Sequence, residues 1–194
     1  MRTIGFVSIL SFAHALVRER VREGDVCVDA TMGNGHDTLF LARLVGDGGR
    51  VVAFDVQEAA LRATRDRLTA AGIPTARCEL LLRSHAEMAE AVGPDAVGRV
   101  AAVMFNLGYL PGGDHRVVTR PETTLAALDA ALLLLRPGGA LTAVVYPGHE
   151  GGASEASAVA DWAAALPQEK YQAMSYRFLN QRNAPPYVVA VEKR

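Results

Sequence analysis

With 194 residues, half of them hydrophobic and 21% charged, the chain has enough apolar material for one good-sized core and too much to stay disordered. A net charge of −1 excludes a strongly basic, non-specific nucleic-acid coat, though not a local basic face. No apolar run approaches the roughly 20 residues that span a bilayer, and two isolated cysteines, Cys27 and Cys78, make neither a disulfide framework nor a zinc site.

Strand-like and helix-like segments alternate from end to end. Phe6 to Arg22 reads as an amphipathic helix; it lacks the basic stretch and A-x-A site of a signal peptide. Asp25 to Thr31 is a buried apolar strand, His36 to Val45 a helix, and Arg50 to Asp55 a second strand. A helix over Gln57 to Ala71 stops at Gly72 and Pro74. Cys78 to Leu82 is a third strand, His85 to Ala91 a short helix, and Val100 to Asn106 a fourth strand. Thr119 to Leu135 is a long helix stopped by Pro137-Gly138-Gly139, and Ala140 to Tyr146 a fifth strand. Glu155 to Leu166 is a helix, and two strands follow near 171–179 and 186–192. Continuous apolar strands separated by helices mean a parallel sheet covered on both faces. The short link Asn180 to Pro186 permits an antiparallel last strand. The fold expected is a seven-stranded, Rossmann-like α/β sheet with helices on both faces, residues 1–194 forming one domain with reduced cysteines, in the cytoplasm.

The first strand runs into Asp29-Ala30-Thr31-Met32-Gly33-Asn34-Gly35-His36-Asp37-Thr38. Glycines 33 and 35 let the backbone turn tightly and approach a ligand closely. The second strand ends in Asp55, twenty residues after Gly35, where a carboxylate accepts hydrogen bonds from both ribose hydroxyls of an adenosine. Nicotinamide dinucleotide sites share those features. Two others tilt the choice: Thr38 stands where the third glycine of G-x-G-x-x-G belongs, and Asp29 lies four positions before Gly33. A carboxylate beside the loop suits a ligand with an ammonium and a sulfonium, as in S-adenosylmethionine, and opposes a pyrophosphate. The plainer reading is a turn with Asp37 or Thr38 capping the next helix.

Strand four ends in Asn106-Leu107-Gly108-Tyr109-Leu110-Pro111-Gly112-Gly113-Asp114-His115. In a doubly wound sheet the carboxyl end of the strand beside the first is where substrate meets cofactor. The pattern resembles the N-P-P-Y loop of methyltransferases that modify exocyclic amines. The Asn106 amide oxygen and the Leu107 carbonyl suit an amine's N–H groups, and Tyr109 suits stacking on a base. The candidate cofactor-binding set is Asp29, Gly33, Asn34, Gly35, His36, Asp37 and Thr38 in the first loop; Asp55 and Gln57 after strand two; Ser84 and His85 after strand three; and Asn106 and Gly108 on strand four's tail. The candidate catalytic set is Asn106, Tyr109, Asp114 and His149, the last following strand five. His14 reads as a packing histidine, and Arg177 and Arg182 as solvated charges or a modest basic patch.

Taken together, VDATMGNGHDTLFLARLVG, FDVQ, FNLGYLPGGDH, TTLAAL, LRPGGALTAVVYPGHEGG and FLNQRNAPPYVVAVEK resemble the family labelled "putative rRNA methylase", from about Phe12 to Lys193. One departure is His115, where the family pattern leads to lysine. The resemblance implies a class I methyltransferase fold and methyl transfer from S-adenosylmethionine to the primary amine of 5-aminomethyl-(2-thio)uridine at the tRNA wobble position. It also implies the tRNA anticodon stem-loop as partner, with no metal and no membrane, and leaves room for a homodimer. An alkylamine is mostly protonated at neutral pH and must lose a proton before it attacks; Asp114, Tyr109 and His149 are the candidate acceptors. Open alternatives are a methyltransferase for rRNA or a small-molecule amine, an NAD-dependent oxidoreductase, and a non-catalytic nucleotide-sensing or RNA-binding module on the same fold.

Overall fold

The computed structural model describes residues 5–112 and 117–194. Its seven strands are β1 (Val26–Asp29), β2 (Arg50–Asp55), β3 (Cys78–Leu82), β4 (Val100–Asn106), β5 (Leu135–Val145), β6 (Tyr171–Tyr176) and β7 (Tyr187–Lys193), in the spatial order β3-β2-β1-β4-β5-β7-β6. β7 runs antiparallel to both neighbours and the other six strands run parallel to one another. This is the sheet the sequence predicts, and the chain order reverses between β1 and β4. That reversal opens a crevice at the carboxyl ends of the strands.

Among the described residues, α1 (Ile9–Arg18) precedes the sheet, and α2 (His36–Val45), α3 (Glu58–Ala70), α4 (Met88–Val92), α5 (Pro121–Leu134) and α6 (Gly152–Ala164) lie between strands. α1 is shorter than its periodicity suggests. Ser8 caps its start by accepting from the Ser11 amide, and at its far end Asp25 accepts from the Arg22 amide at 2.7 Å, closing the turn into β1. β5 is longer than expected, because Leu135 already pairs with Val100 before the Pro137-Gly138-Gly139 irregularity lets Ala140 pair with Ala102.

Both sheet faces are covered. On one, Leu41, Val45 and Leu68 of the helices cluster with Cys27 of β1, Val51 of β2 and Cys78 of β3. On the other, Phe54, Phe105, Leu128, Leu134 and Val159 join β4 and β5 to α5 and α6. Each such buried side chain contributes about 1.5–3 kcal/mol of transfer free energy. Burial pushes the Cys27 and Cys78 thiols up to about 12 and about 11, so neither is reactive at neutral pH. Among the described residues no helix is long and apolar enough to cross a membrane.

Candidate active site

The carboxyl ends of five successive parallel strands wall a cavity of about 840 Å³. Its floor comes from the segment after β1, its sides from the tails of β2 and β3, and its far wall from those of β4 and β5; Leu10 and His14 of α1 close one flank.

At one end the backbone is fixed by carboxylates and by α3. Gly33 and Gly35 take positive φ, and a Cβ on Gly35 would lie 2.8 Å from the Thr64 Cα, so the turn presses directly on α3. Thr64 donates to the Gly33 carbonyl and Arg67 to the Asn34 carbonyl. Asp55, at the end of β2, accepts from the Gly33 amide at 3.1 Å and the Gln57 amide at 2.9 Å. Burial raises the Asp55 carboxyl above its ordinary range, and those amides oppose the rise. Two amides leave lone pairs of Asp55 for further donors. Gly33, Asn34, His36, Asp37, Gln57 and Ser84 share this cavity wall.

His85 closes that end. Its Nδ1 lies 3.2 Å from the Ala30 carbonyl, which requires a proton on Nδ1 and leaves Nε2 a lone-pair acceptor. Nε2 is buried and has no partner among the described residues, and burial lowers the ring's pKa, which favours the neutral form.

Asp29 sits elsewhere than its position in the motif suggests. It is fully buried behind the loop, accepts from the Thr38 hydroxyl at 2.6 Å and the Thr31 amide at 3.1 Å, and is absent from the cavity wall, as are Thr38 and Gly35. Burial, then the charge of Asp37, pushes its carboxyl up to about 7. Asp29 and Thr38 brace the loop from behind. Nor does a side chain cap α2; Gly35 holds the N-cap position.

At the other end, Asn106 terminates β4. Its backbone N–H donates to the Thr31 hydroxyl at 2.7 Å, which locks β4 to the first loop. Its side-chain Nδ2 donates to Asp37 at 2.5 Å, and its Oδ1 accepts from the Tyr146 hydroxyl at 3.2 Å. A carboxylate only accepts, so Asp37 settles which way the Asn106 amide points. Gly108 is held by Thr119, whose hydroxyl takes the Gly108 amide at 2.8 Å and donates to buried Glu155 at 2.7 Å. Thr124 gives Glu155 a second donor at 2.6 Å.

Tyr109 is partly exposed on the wall, edge-on to the His149 ring at 5.8 Å. His149 Nδ1 lies 2.8 Å from the Glu150 carbonyl and donates to it; Nε2 is buried and has no partner among the described residues. The ring fits because residue 152 is glycine: a Cβ there would lie 2.3 Å from the Tyr146 carbonyl and 2.9 Å from His149 Nε2. Asp114 and His115 lie outside the described residues.

The structure thus brings Gly33, Asn34, His36, Asp37, Asp55, Gln57, Ser84, His85, Asn106, Gly108, Tyr109 and His149 around one cavity. Sequence reasoning missed His14, Tyr146, Thr119 and Glu155. A signal for His14 existed: Leu10 and His14, four apart on α1, share the cavity-facing stripe.

The family profile described as "Putative rRNA methylase" matches residues 51–192. The chain belongs to this family. A "tRNA (mnm(5)s(2)U34)-methyltransferase, chloroplastic" of Arabidopsis thaliana is 40% identical over 183 residues, which cover 91% of this chain; the chain spans only 66% of that protein's length. A crystal structure of a family protein from Clostridium thermocellum, described as a putative rRNA-methylase, superposes with a TM-score of 0.93 at 42% identity, covering 98% of this chain and all of that one. A putative methyltransferase from Streptococcus mutans, solved in complex with SAH, gives 0.87 at 36% identity over 98% of this chain and 100% of its own.

Proposed function

We propose that the chain is an S-adenosylmethionine-dependent RNA methyltransferase whose target is the primary amine of 5-aminomethyl-(2-thio)uridine at the tRNA wobble position. One observation carries the reading: a single cavity has a ribose-type carboxylate, Asp55, at one end and an amide of fixed orientation, Asn106, at the other. The family and the Arabidopsis relative support it.

The residues present fit the cofactor. Asp55 has lone pairs for the ribose hydroxyls, and His85 Nε2 is a buried acceptor that lacks a partner among the described residues. The amino end of α2, with Asn34, His36 and Asp37 on the wall, suits the methionine carboxylate and ammonium. Gln57, Ser84 and Gly108 complete the contacts. When bound, S-adenosylmethionine supplies an electrophilic methyl on a sulfonium.

The chain's own residues prepare the amine. Asn106 Oδ1 and the Leu107 carbonyl accept its N–H hydrogens and aim the nitrogen lone pair. The Tyr109 ring takes the uracil face, which a single-stranded wobble base can present. His149 Nε2 takes the proton an alkylammonium must lose, with Asp114 as a further candidate acceptor. The anticodon stem-loop is the partner, with exposed Arg177 and Arg182 toward its phosphates. Of the arginines at and just after the end of α1, Arg20 is engaged by Glu192 and Arg18 lies over Phe40, so they contribute less. The whole chain acts as one domain, in the cytoplasm.

The test is twofold. Calorimetry on the purified chain is expected to give micromolar S-adenosylmethionine binding, about 8 kcal/mol, and no NADH binding. Labelled methyl is expected to enter tRNA but not rRNA. NADH binding, or incorporation into rRNA alone, overturns the proposal.

A further inference from the structure

Asp37 is the hub of a chain of hydrogen bonds that starts outside the catalytic loop. Its Oδ2 accepts from Asn106 Nδ2 at 2.5 Å, and its Oδ1 lies 2.6 Å from Nε2 of His14, on α1. The Asp37 side chain is 8% exposed and that of His14 27%. The imidazole is held in turn: it stacks on Phe40 with ring centroids 4.0 Å apart and planes 5° apart. His14 therefore has a fixed ring and a fixed acceptor, although it sits 23 residues from Asp37 and 92 from Asn106 in sequence.

We propose that His14 is a positioning residue that, through Asp37, holds the Asn106 amide with Oδ1 turned toward the substrate end of the cavity. The inference rests on the reading of Asn106 as the acceptor for the target amine. Its physical basis is the arithmetic of donors. A nearly buried carboxylate needs donors on both oxygens. Asn106 supplies one and His14 the other. With Nε2–H on Oδ1, the Asp37 carboxylate cannot rotate, and its Oδ2 stays opposite Asn106. Asn106 then places Nδ2 on Asp37, because Oδ1 against a carboxylate oxygen is repulsive. Oδ1 is left to the Tyr146 hydroxyl and to a substrate N–H. Without His14, Asp37 keeps one donor and is free to turn, and the Asn106 amide loses its reference. Neither His14 nor Asp37 then touches the reacting nitrogen; both act through Asn106.

A side chain that merely packs would give a different pattern under substitution. His14→Ala removes ring and donor, His14→Phe keeps a ring on Phe40 without the donor, and His14→Gln restores an N–H near the position of Nε2. The proposal expects kcat for tRNA methylation to fall about tenfold or more in His14→Ala and His14→Phe, a larger loss than any in S-adenosylmethionine affinity, and His14→Gln to recover most of the rate. In an Asn106→Ala background, removing His14 is expected to cost nothing further. The second measurement needs no turnover: the Asn106 side-chain 15N–1H pair, identified by its loss in Asn106→Ala, is expected to shift in His14→Phe and return in His14→Gln. Losses that multiply in the double variant, or an unmoved Asn106 amide in folded His14→Phe, overturn the inference. Absence of wild-type tRNA methylation overturns the functional reading instead, and the amide spectrum then decides whether His14 sets Asn106 at all.

Discussion

The two ends of the cavity are built on different principles. The proposed cofactor end is a backbone turn: the Gly33–Gly35 turn is pressed on α3, its carbonyls are tied to Thr64 and Arg67, and Asp55 takes the Gly33 amide. The proposed substrate end is side chain held by side chain. Asn106 depends on Asp37 and Tyr146, and the Gly108 tail on Thr119 and Glu155. A backbone site tolerates little change of shape, since Gly35 answers a steric demand and both glycines a positive φ. A side-chain site can lose its orientation while the fold stays intact. Substitutions at the first end are expected to cost binding and stability, and at the second turnover.

The sharpest break in that comparison is Gly35→Ala. Its φ of 76° and the 2.8 Å approach to Thr64 leave no room for a methyl group. The variant is expected to lose about 2 kcal/mol or more of stability by thermal unfolding and measurable cofactor binding by calorimetry. Next comes Asn106→Ala. Removal of an oriented polar group of this kind lowers kcat about a hundredfold, while cofactor affinity is expected to stay within a few-fold. Lost affinity with normal turnover at saturating cofactor would assign Asn106 to the cofactor end. Asp55→Ala is expected to weaken cofactor binding by about 1.5–3 kcal/mol, because two ribose hydroxyls lose their acceptor; unchanged affinity in the folded variant would remove the ribose assignment.

The smallest effect concerns Asp29. Burial raises its carboxyl to about 7 in the folded chain, well above its unfolded value, so the fold favours the protonated form. That contribution is complete below the unfolded pKa and is lost as pH rises through about 7. Between pH 5 and 8 the melting temperature of the wild type is therefore expected to fall relative to that of Asp29→Asn, which cannot ionise. Parallel curves would show that Asp29 is not held protonated.

Much of this was legible in the sequence, and the reason is local. The apolar, β-branched runs Arg50–Asp55, Cys78–Leu82 and Val100–Asn106 lie as strands within the bounds their composition predicts. Parallel strand order then places the residues after each carboxyl end on one rim, which is why Asp55, His85, Asn106 and His149 meet. What was not legible is which partner each polar group chooses. Asp29 has the spacing of a ligand contact, but its side chain turns to Thr38 on α2. Glu155 lies in an alanine-rich helix, and its role depends on Thr119 and Thr124 across the fold. His14 looks like core until α1 is laid beside Asp37. Such choices are made by packing between distant elements, and no window of sequence contains both partners.

The central claim is that the substrate end is built for an alkylamine on a wobble uridine. The most direct test offers the purified chain two tRNAs of one sequence, one with 5-aminomethyluridine at the wobble position and one with uridine, and follows each nucleoside by mass spectrometry. The account predicts a gain of one methyl group, about 14 mass units, on the aminomethyl nucleoside alone, because uridine has no amine for Asn106 and His149 to prepare. Equal methylation of both tRNAs, or methylation of neither, would contradict it.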